Sequence, residues 1–106
     1  MKNARLYNAW YVYHHNNPVV YELVCRFADQ AIRSGYLKYA ISPIWERVRW
    51  EINVVTRDRN FKMPNNHRAY YSRHWLNNHP EKPKFFRIAR LRSLGNAPVD
   101  QFGRDR

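Results

Sequence analysis

NNPVVYELVCRFADQAIRSG, residues 16–35, contains the clearest helix pattern in the chain. Its apolar residues recur in pairs four positions apart and therefore occupy one broad face of a helix, while charged residues share the opposite face. Asn17-Pro18 is a typical helix start, and Gly35 is a typical helix stop. The pattern predicts an amphipathic helix over residues 18–34, which must bury its apolar face against other elements.

Four further segments are compatible with helices. We predict them over residues 3–15, 43–53, 66–78 and 84–92. After the second of these, β-prone residues flank the polar centre RDRN, so residues 53–63 are predicted to form either a short, wing-like β-hairpin or an ordered loop. The expected fold class is therefore mainly α, a compact helical domain of four to five helices.

The chain of 106 residues is long enough for one domain and one core. We expect a single basic helical domain over residues 1–93 and a weakly ordered tail over residues 94–106. The one cysteine, Cys25, cannot form an internal disulfide and is typical of a reducing compartment. No apolar stretch approaches the roughly 18 residues of a membrane span, so a cytoplasmic protein without a membrane partner is expected.

The charge balance is strongly basic. Nineteen Lys and Arg against eight Asp and Glu give a formal net charge of +11, more than solubility requires. Most of these cations are arginines, whose planar guanidinium suits phosphate, guanine or carboxylate. The excess grows toward the C-terminus, where residues 82–106 contain seven basic and two acidic residues. This balance predicts an acidic partner, with nucleic acid as the leading candidate and DNA preferred over RNA.

The candidate contact residues are the basic side chains between positions 47 and 92 together with one tryptophan. They are Arg47, Arg49, Trp50, Arg57, Arg59, Lys62, Arg68, Arg73, Lys82, Lys84, Arg87, Arg90 and Arg92. Trp50 lies away from the apolar stripe of its predicted helix, so it either offers a stacking platform for a base or packs against the last helix. The second interpretation is favoured. Asn65 and Asn66 could bond adenine edges, although helix capping explains them more simply.

No known catalytic motif is present in the sequence. The five histidines lack the spacing of a zinc site, the acidic residues are scattered, and the three glycines are too far apart for a phosphate-binding loop. We therefore expect no enzyme activity, no metal and no cofactor.

Four runs of the sequence, NNPVVYELVCRFADQAI, ISPIWERVRWE, FKMPNNHRAYYSRHWLNNHP and FFRIARLRS, resemble a group of small, uncharacterised phage and prophage proteins. The resemblance spans about residues 14–93 and implies a bacterial cytoplasm during infection or lysogeny. Small phage proteins often bind DNA or a host defence machine. The expected function is therefore nucleic-acid binding. The alternative is an anti-defence inhibitor, for example an anti-CRISPR, that binds an acidic surface of a host defence complex or its nucleic-acid site. Exposed aromatic residues could also form a homodimer.

Overall fold

The computed structural model describes residues 2–88, and four α-helices make up most of that part of the chain. They are α1 (Lys2–Asn16), α2 (Pro18–Arg33), α3 (Ile41–Trp50) and α4 (Arg68–Asn78). A π-helical segment, Glu51–Val55, continues α3, and a 3-10 turn, Asn65–His67, precedes α4. The prediction of a mainly α fold with four to five helices is confirmed. Within residues 2–88 the only β-type pairing is an isolated parallel bridge between Tyr39 and Phe86.

The amphipathic helix α2 forms because its apolar residues lie on one face, Pro18 occupies its first position and Gly35 follows its end. Asn17 does not cap the helix with its side chain, since its amide donates to the Tyr13 carbonyl at 3.0 Å. The buried face consists of Val20, Leu23, Val24, Phe27 and Ala28. At the C-terminal end, Gly35 has φ +107°, a conformation that residues with a Cβ rarely adopt. The N–H groups of Gly35 and Tyr36 then donate to the carbonyls of Ile32 and Ala31 at 3.0 and 3.1 Å, which ends the helix. The chain leaves this turn with Tyr36 exposed.

The core lies where α2, α3 and α4 meet. Helix α3 and its π-helical continuation contribute Ile44, Trp45, Val48 and Ile52, and α4 contributes Tyr70, Tyr71, Trp75 and Leu76. Helix α1 covers one side of α4 through Trp10, which is buried against Tyr70 and Tyr71. Aromatic rings bury large areas from few residues, which explains how a short chain with a high charge retains a core.

The hairpin interpretation of residues 53–63 is wrong, and its alternative, an ordered loop, is observed. The chain remains helical as far as Val55 because Ile52 is buried one turn beyond Val48. A loop then follows, in which Asn53 donates to the Asp58 carbonyl at 2.8 Å and Arg57 adopts φ +65°. Burial of one isoleucine thus outweighs the β preference of its neighbours.

The predicted helix over 84–92 is wrong for its described part. Residues 84–88 form a bend and an extended segment, in which the carbonyl of Phe85 accepts a hydrogen bond from the Tyr39 N–H at 2.9 Å. Phe85 and Phe86 are both buried, and their rings pack on Trp75. The remainder of that predicted helix and the predicted tail over 94–106 lie outside the described residues.

Three histidines are packed among the aromatic rings. The ring of His14 stacks on Trp10 at 5.2 Å and meets His74 at 4.9 Å, while His67 lies 4.8 Å from Tyr13, all between ring centroids. Burial lowers the pKa of all three imidazoles, and repulsion from His74 and His15 lowers the pKa of His14 further. The folded protein therefore favours the neutral form of each ring.

We expect the free energy of unfolding to be highest above about pH 6.5, the usual histidine pKa, and to fall as the pH drops below it. Stability falls in this direction because the histidines of the unfolded chain, with ordinary pKa values, bind protons at a higher pH than those of the folded chain. Urea unfolding at about pH 7.5 and 5.5 measures the difference, and His74→Phe should reduce it. Equal or greater stability at the lower pH would contradict the pKa shifts.

Candidate functional site

Three of the predicted arginines line one small cavity of about 230 Å³. Arg68 and Arg73 come from α4, and Arg87 comes from the extended segment that follows it. The other walls include Ile41 and Ser42, at the start of α3, and Ser72 of α4. No carboxylate lines this cavity among residues 2–88. We call this cavity, with its three arginines, the arginine pocket.

Packing of the neighbouring core residues positions Arg87 at the arginine pocket. Phe85 and Phe86 pack on Trp75 with ring centroids 5.1 and 5.2 Å apart, and the Tyr39 hydrogen bond fixes the same segment beside the chain that enters α3. Arg87 is the next residue and its side chain is exposed. The third cation of the pocket is thus positioned by two buried rings.

The first turn of α3 adds to the positive potential of the pocket. Ala40 is the N-cap residue and makes no side-chain capping hydrogen bond, and the turn contains no acidic residue. The first N–H groups of a helix have no intrahelical acceptor and lie at the positive end of its dipole. Three arginines beside such donors suit a tetrahedral oxyanion such as a phosphate group. The volume of the pocket is below the usual range for a whole small-molecule ligand, so one phosphate matches it better than a metabolite.

A second, more open cavity of about 470 Å³ lies between the end of α2 and α3. Its walls include Phe27, Tyr36, Tyr39 and Arg47. The guanidinium carbon of Arg47 lies 4.4 Å from the centroid of the Phe27 ring, and one of its nitrogens donates to Glu51 at 2.9 Å. We call this cavity the aromatic cleft.

The other predicted contact residues are spread over the surface. Arg57, Arg59 and Lys62 are exposed in the loop beyond the π-helical turn, and none of them lines the arginine pocket. Lys82 and Lys84 lie in the bend after α4, and neither lines the pocket. Arg90 and Arg92 lie outside the described residues. Apart from Arg49, the described cations of the predicted set therefore divide into the arginine pocket, one residue in the aromatic cleft and separate groups outside both cavities.

Arg49 is occupied within the protein. One of its terminal nitrogens donates to the Met63 carbonyl at 2.9 Å and to the Asn65 side chain at 2.7 Å, while the other pairs with Glu46. Asn65 therefore accepts from Arg49, and no side chain caps either the 3-10 turn or α4. The capping interpretation of Asn65 is wrong, because a guanidinium from α3 competes for its oxygen.

Trp50 is 57% exposed, so the interpretation that packs it against the last helix is wrong. Phe86, in the segment predicted as the last helix, packs on Trp75 and pairs with Tyr39 instead of covering Trp50. Val54, one turn further on, is also exposed.

Sequence reasoning did not identify Ser42, Ser72, Tyr36 or Tyr39 as site residues. One usable signal was present on α4, because Arg68 and Ser72 are four residues apart and Ala69 and Arg73 repeat that spacing. Residues at such spacing share a helix face. This face of α4 lies beside Arg87 and the start of α3 only in the folded structure, so the local sequence does not predict that contact.

Other chemistries find little support in the described residues. No group of three or more His, Cys, Asp or Glu side chains within residues 2–88 is arranged to hold a metal ion. Burial raises the pKa of the Cys25 thiol, which opposes nucleophilic use. No helix in the described part of the chain has the length and apolar character needed to cross a membrane. Comparisons with family models, curated proteins and solved structures found no match to this chain.

We expect Arg49→Lys to lower the free energy of unfolding by about 1–2 kcal/mol, because a single ammonium cannot serve the Met63 carbonyl, the Asn65 side chain and Glu46 together. Urea unfolding of the variant against the parent chain measures the loss. Arg59→Lys, in the exposed loop, is the matched control and should leave stability unchanged. Equal stability of the two variants would show that the contacts of Arg49 contribute little.

Proposed function

We propose that this protein binds nucleic acid through its phosphates, without catalysing a reaction, in the cytoplasm of a bacterial cell. The observation that carries the proposal is the arginine pocket, where Arg68, Arg73 and Arg87 meet beside the start of α3. Guanidinium groups and helix-start N–H groups are donors that proteins use for nucleic-acid phosphates. The phage resemblance is consistent with this cellular setting.

The exposed cations of the distant loop favour a polymer over a mononucleotide. Arg57, Arg59 and Lys62 follow the C-terminal end of α3 and its π-helical continuation, whereas the arginine pocket lies at the start of α3. A strand with one phosphate in the pocket could therefore also contact this loop. The net charge of +11 would increase the rate of encounter and make binding sensitive to salt.

An acidic surface of a host defence protein is the alternative partner, since its carboxylates would meet the same arginines. The shape of the pocket favours phosphate, because three cations around a small cavity match a compact group with several oxygens. The protein alternative predicts a complex of fixed stoichiometry that survives nuclease treatment. A pull-down from bacterial lysate, with and without nuclease, separates these outcomes.

We expect the Arg68→Gln, Arg87→Gln double variant to bind an oligonucleotide more weakly and with a smaller dependence on salt. Loss of two phosphate contacts should reduce the slope of log affinity against log salt by about 1.4–1.8. Fluorescence anisotropy between about 50 and 200 mM salt measures both quantities.

The matched control is the Arg5→Gln, Arg33→Gln variant, which removes the same charge from exposed positions on α1 and α2. It should keep a slope close to that of the parent chain. Equal losses in the two double variants would mean that the charge acts diffusely and that the arginine pocket has no special role. Absence of salt-dependent binding in the parent chain would refute the proposed function.

A further inference from the structure

The aromatic cleft and the arginine pocket are each lined in part by residues at the start of α3. Ile41 and Ser42 line the pocket, while Pro43 and Ile44 line the cleft. Successive helix residues differ by 100° in direction, so the pair that lines the pocket and the pair that lines the cleft lie on roughly opposite sides of this turn. A strand, rather than a single nucleotide, is needed to reach both cavities.

The cleft offers flat groups of the kinds on which nucleobases stack. Tyr36 is 53% exposed, and its ring lies 4.9 Å from that of Tyr39 at an angle of 70°. The guanidinium of Arg47 lies on the ring of Phe27 and forms another wall of the cleft. Tyrosine rings and arginine planes are common partners of unstacked bases.

Contacts within the protein fix the backbone of Tyr36 and the side chain of Arg47. The glycine turn fixes the backbone of Tyr36 through its N–H bond to the Ala31 carbonyl. Arg47 is held between Phe27 and Glu51. A side chain that is ordered in advance loses less entropy on binding, which applies here to Arg47.

Polar groups beside the rings could contact the edge of a base. Gln30 is exposed on α2 and lines the cleft, and its amide offers both donors and an acceptor. The Ser34 hydroxyl already donates to the Ala31 carbonyl at 2.8 Å, so its oxygen serves as an acceptor. No carboxylate of the described residues lines the cleft.

We propose that the aromatic cleft takes one unpaired base of a single-stranded nucleic acid that also places a phosphate in the arginine pocket. This inference rests on the proposed function and specifies its substrate as single strands. A base within a duplex is stacked and paired, and it would have to leave the helix at an energetic cost to enter the cleft.

Tyr36→Ala tests the inference, with Tyr36→Phe to retain the ring and Leu37→Ala as the control. Leu37 is 86% exposed, adjacent in sequence and outside the lining of the cleft. Each variant is titrated with three labelled probes of about 12 nucleotides. These are an oligothymidylate, an abasic strand of the same length, and a duplex that contains the same thymidine run.

We expect Tyr36→Ala to weaken binding of the oligothymidylate by at least about fivefold, the lower end of the stacking effect for one base. Binding of the abasic strand and the duplex should not change, and Tyr36→Phe and Leu37→Ala should resemble the parent chain. The parent chain should also bind the single strand more tightly than the duplex at equal salt.

Three outcomes would overturn the inference. The first is an unchanged affinity of Tyr36→Ala for the oligothymidylate, and the second is an equal loss on the oligothymidylate and the abasic strand. The third is a parent chain that prefers the duplex. If any of these occurs while the Arg68→Gln, Arg87→Gln variant still loses affinity, phosphate binding stands and only the base site fails. If the parent chain binds none of the probes, both proposals fail.

Discussion

The burial of Phe85 and Phe86 is the contact on which the candidate site depends. Both rings are almost fully buried against Trp75, and the Phe85 carbonyl bonds to the Tyr39 N–H just before α3. Each buried ring contributes about 1.5–3 kcal/mol through the apolar area removed from water. Without this contact, Arg87 would leave the neighbourhood of Arg68 and Arg73, so the energy that stabilises the core also assembles the arginine pocket.

Some of the arginines form ion pairs within the protein, and others line the arginine pocket. Arg26 and Arg47 approach Glu51, Arg33 pairs with Asp29, and Arg49 pairs with Glu46. These pairs are at least partly exposed, and such pairs generally add little stability. Their effect is to neutralise part of the surface of α2 and α3. The arginine pocket, whose described walls contain no carboxylate, is where positive charge is concentrated.

Local patterns in the sequence were sufficient for the helices that present one apolar face. Helix α2 is an example, since its paired apolar residues and its terminal Asn17-Pro18 and Gly35 predicted both its extent and its buried side. The failures occurred where tertiary contacts outweigh local preference. Ile52 prolongs α3 through a segment with strand-like composition. Phe85 and Phe86 belong to a helix-compatible run, yet they pack on Trp75 in a segment whose backbone bonds to Tyr39.

The sequence predicted the type of candidate site, an arginine-rich surface, but only some of the residues that form it. Composition indicated a surface rich in arginine, and three of the indicated arginines share a pocket. Arg49 was indistinguishable from them in sequence, because its partner Asn65 lies sixteen residues away. The same limit applies to Trp50, whose exposure depends on where the segment after α4 packs. Contacts between distant segments decide which of these side chains line a common cavity.

The most direct test of the arginine pocket is an NMR titration of the isotope-labelled full chain with a short oligothymidylate. The reporters are the backbone amides of Ser42 and Ser72 and the side-chain Nε–H signals of Arg87 and Arg59. We predict that the first three shift together and saturate at one equivalent, while Arg59 shifts less and without saturation. Similar, unsaturated shifts at Arg87 and Arg59 would contradict the existence of a defined phosphate site.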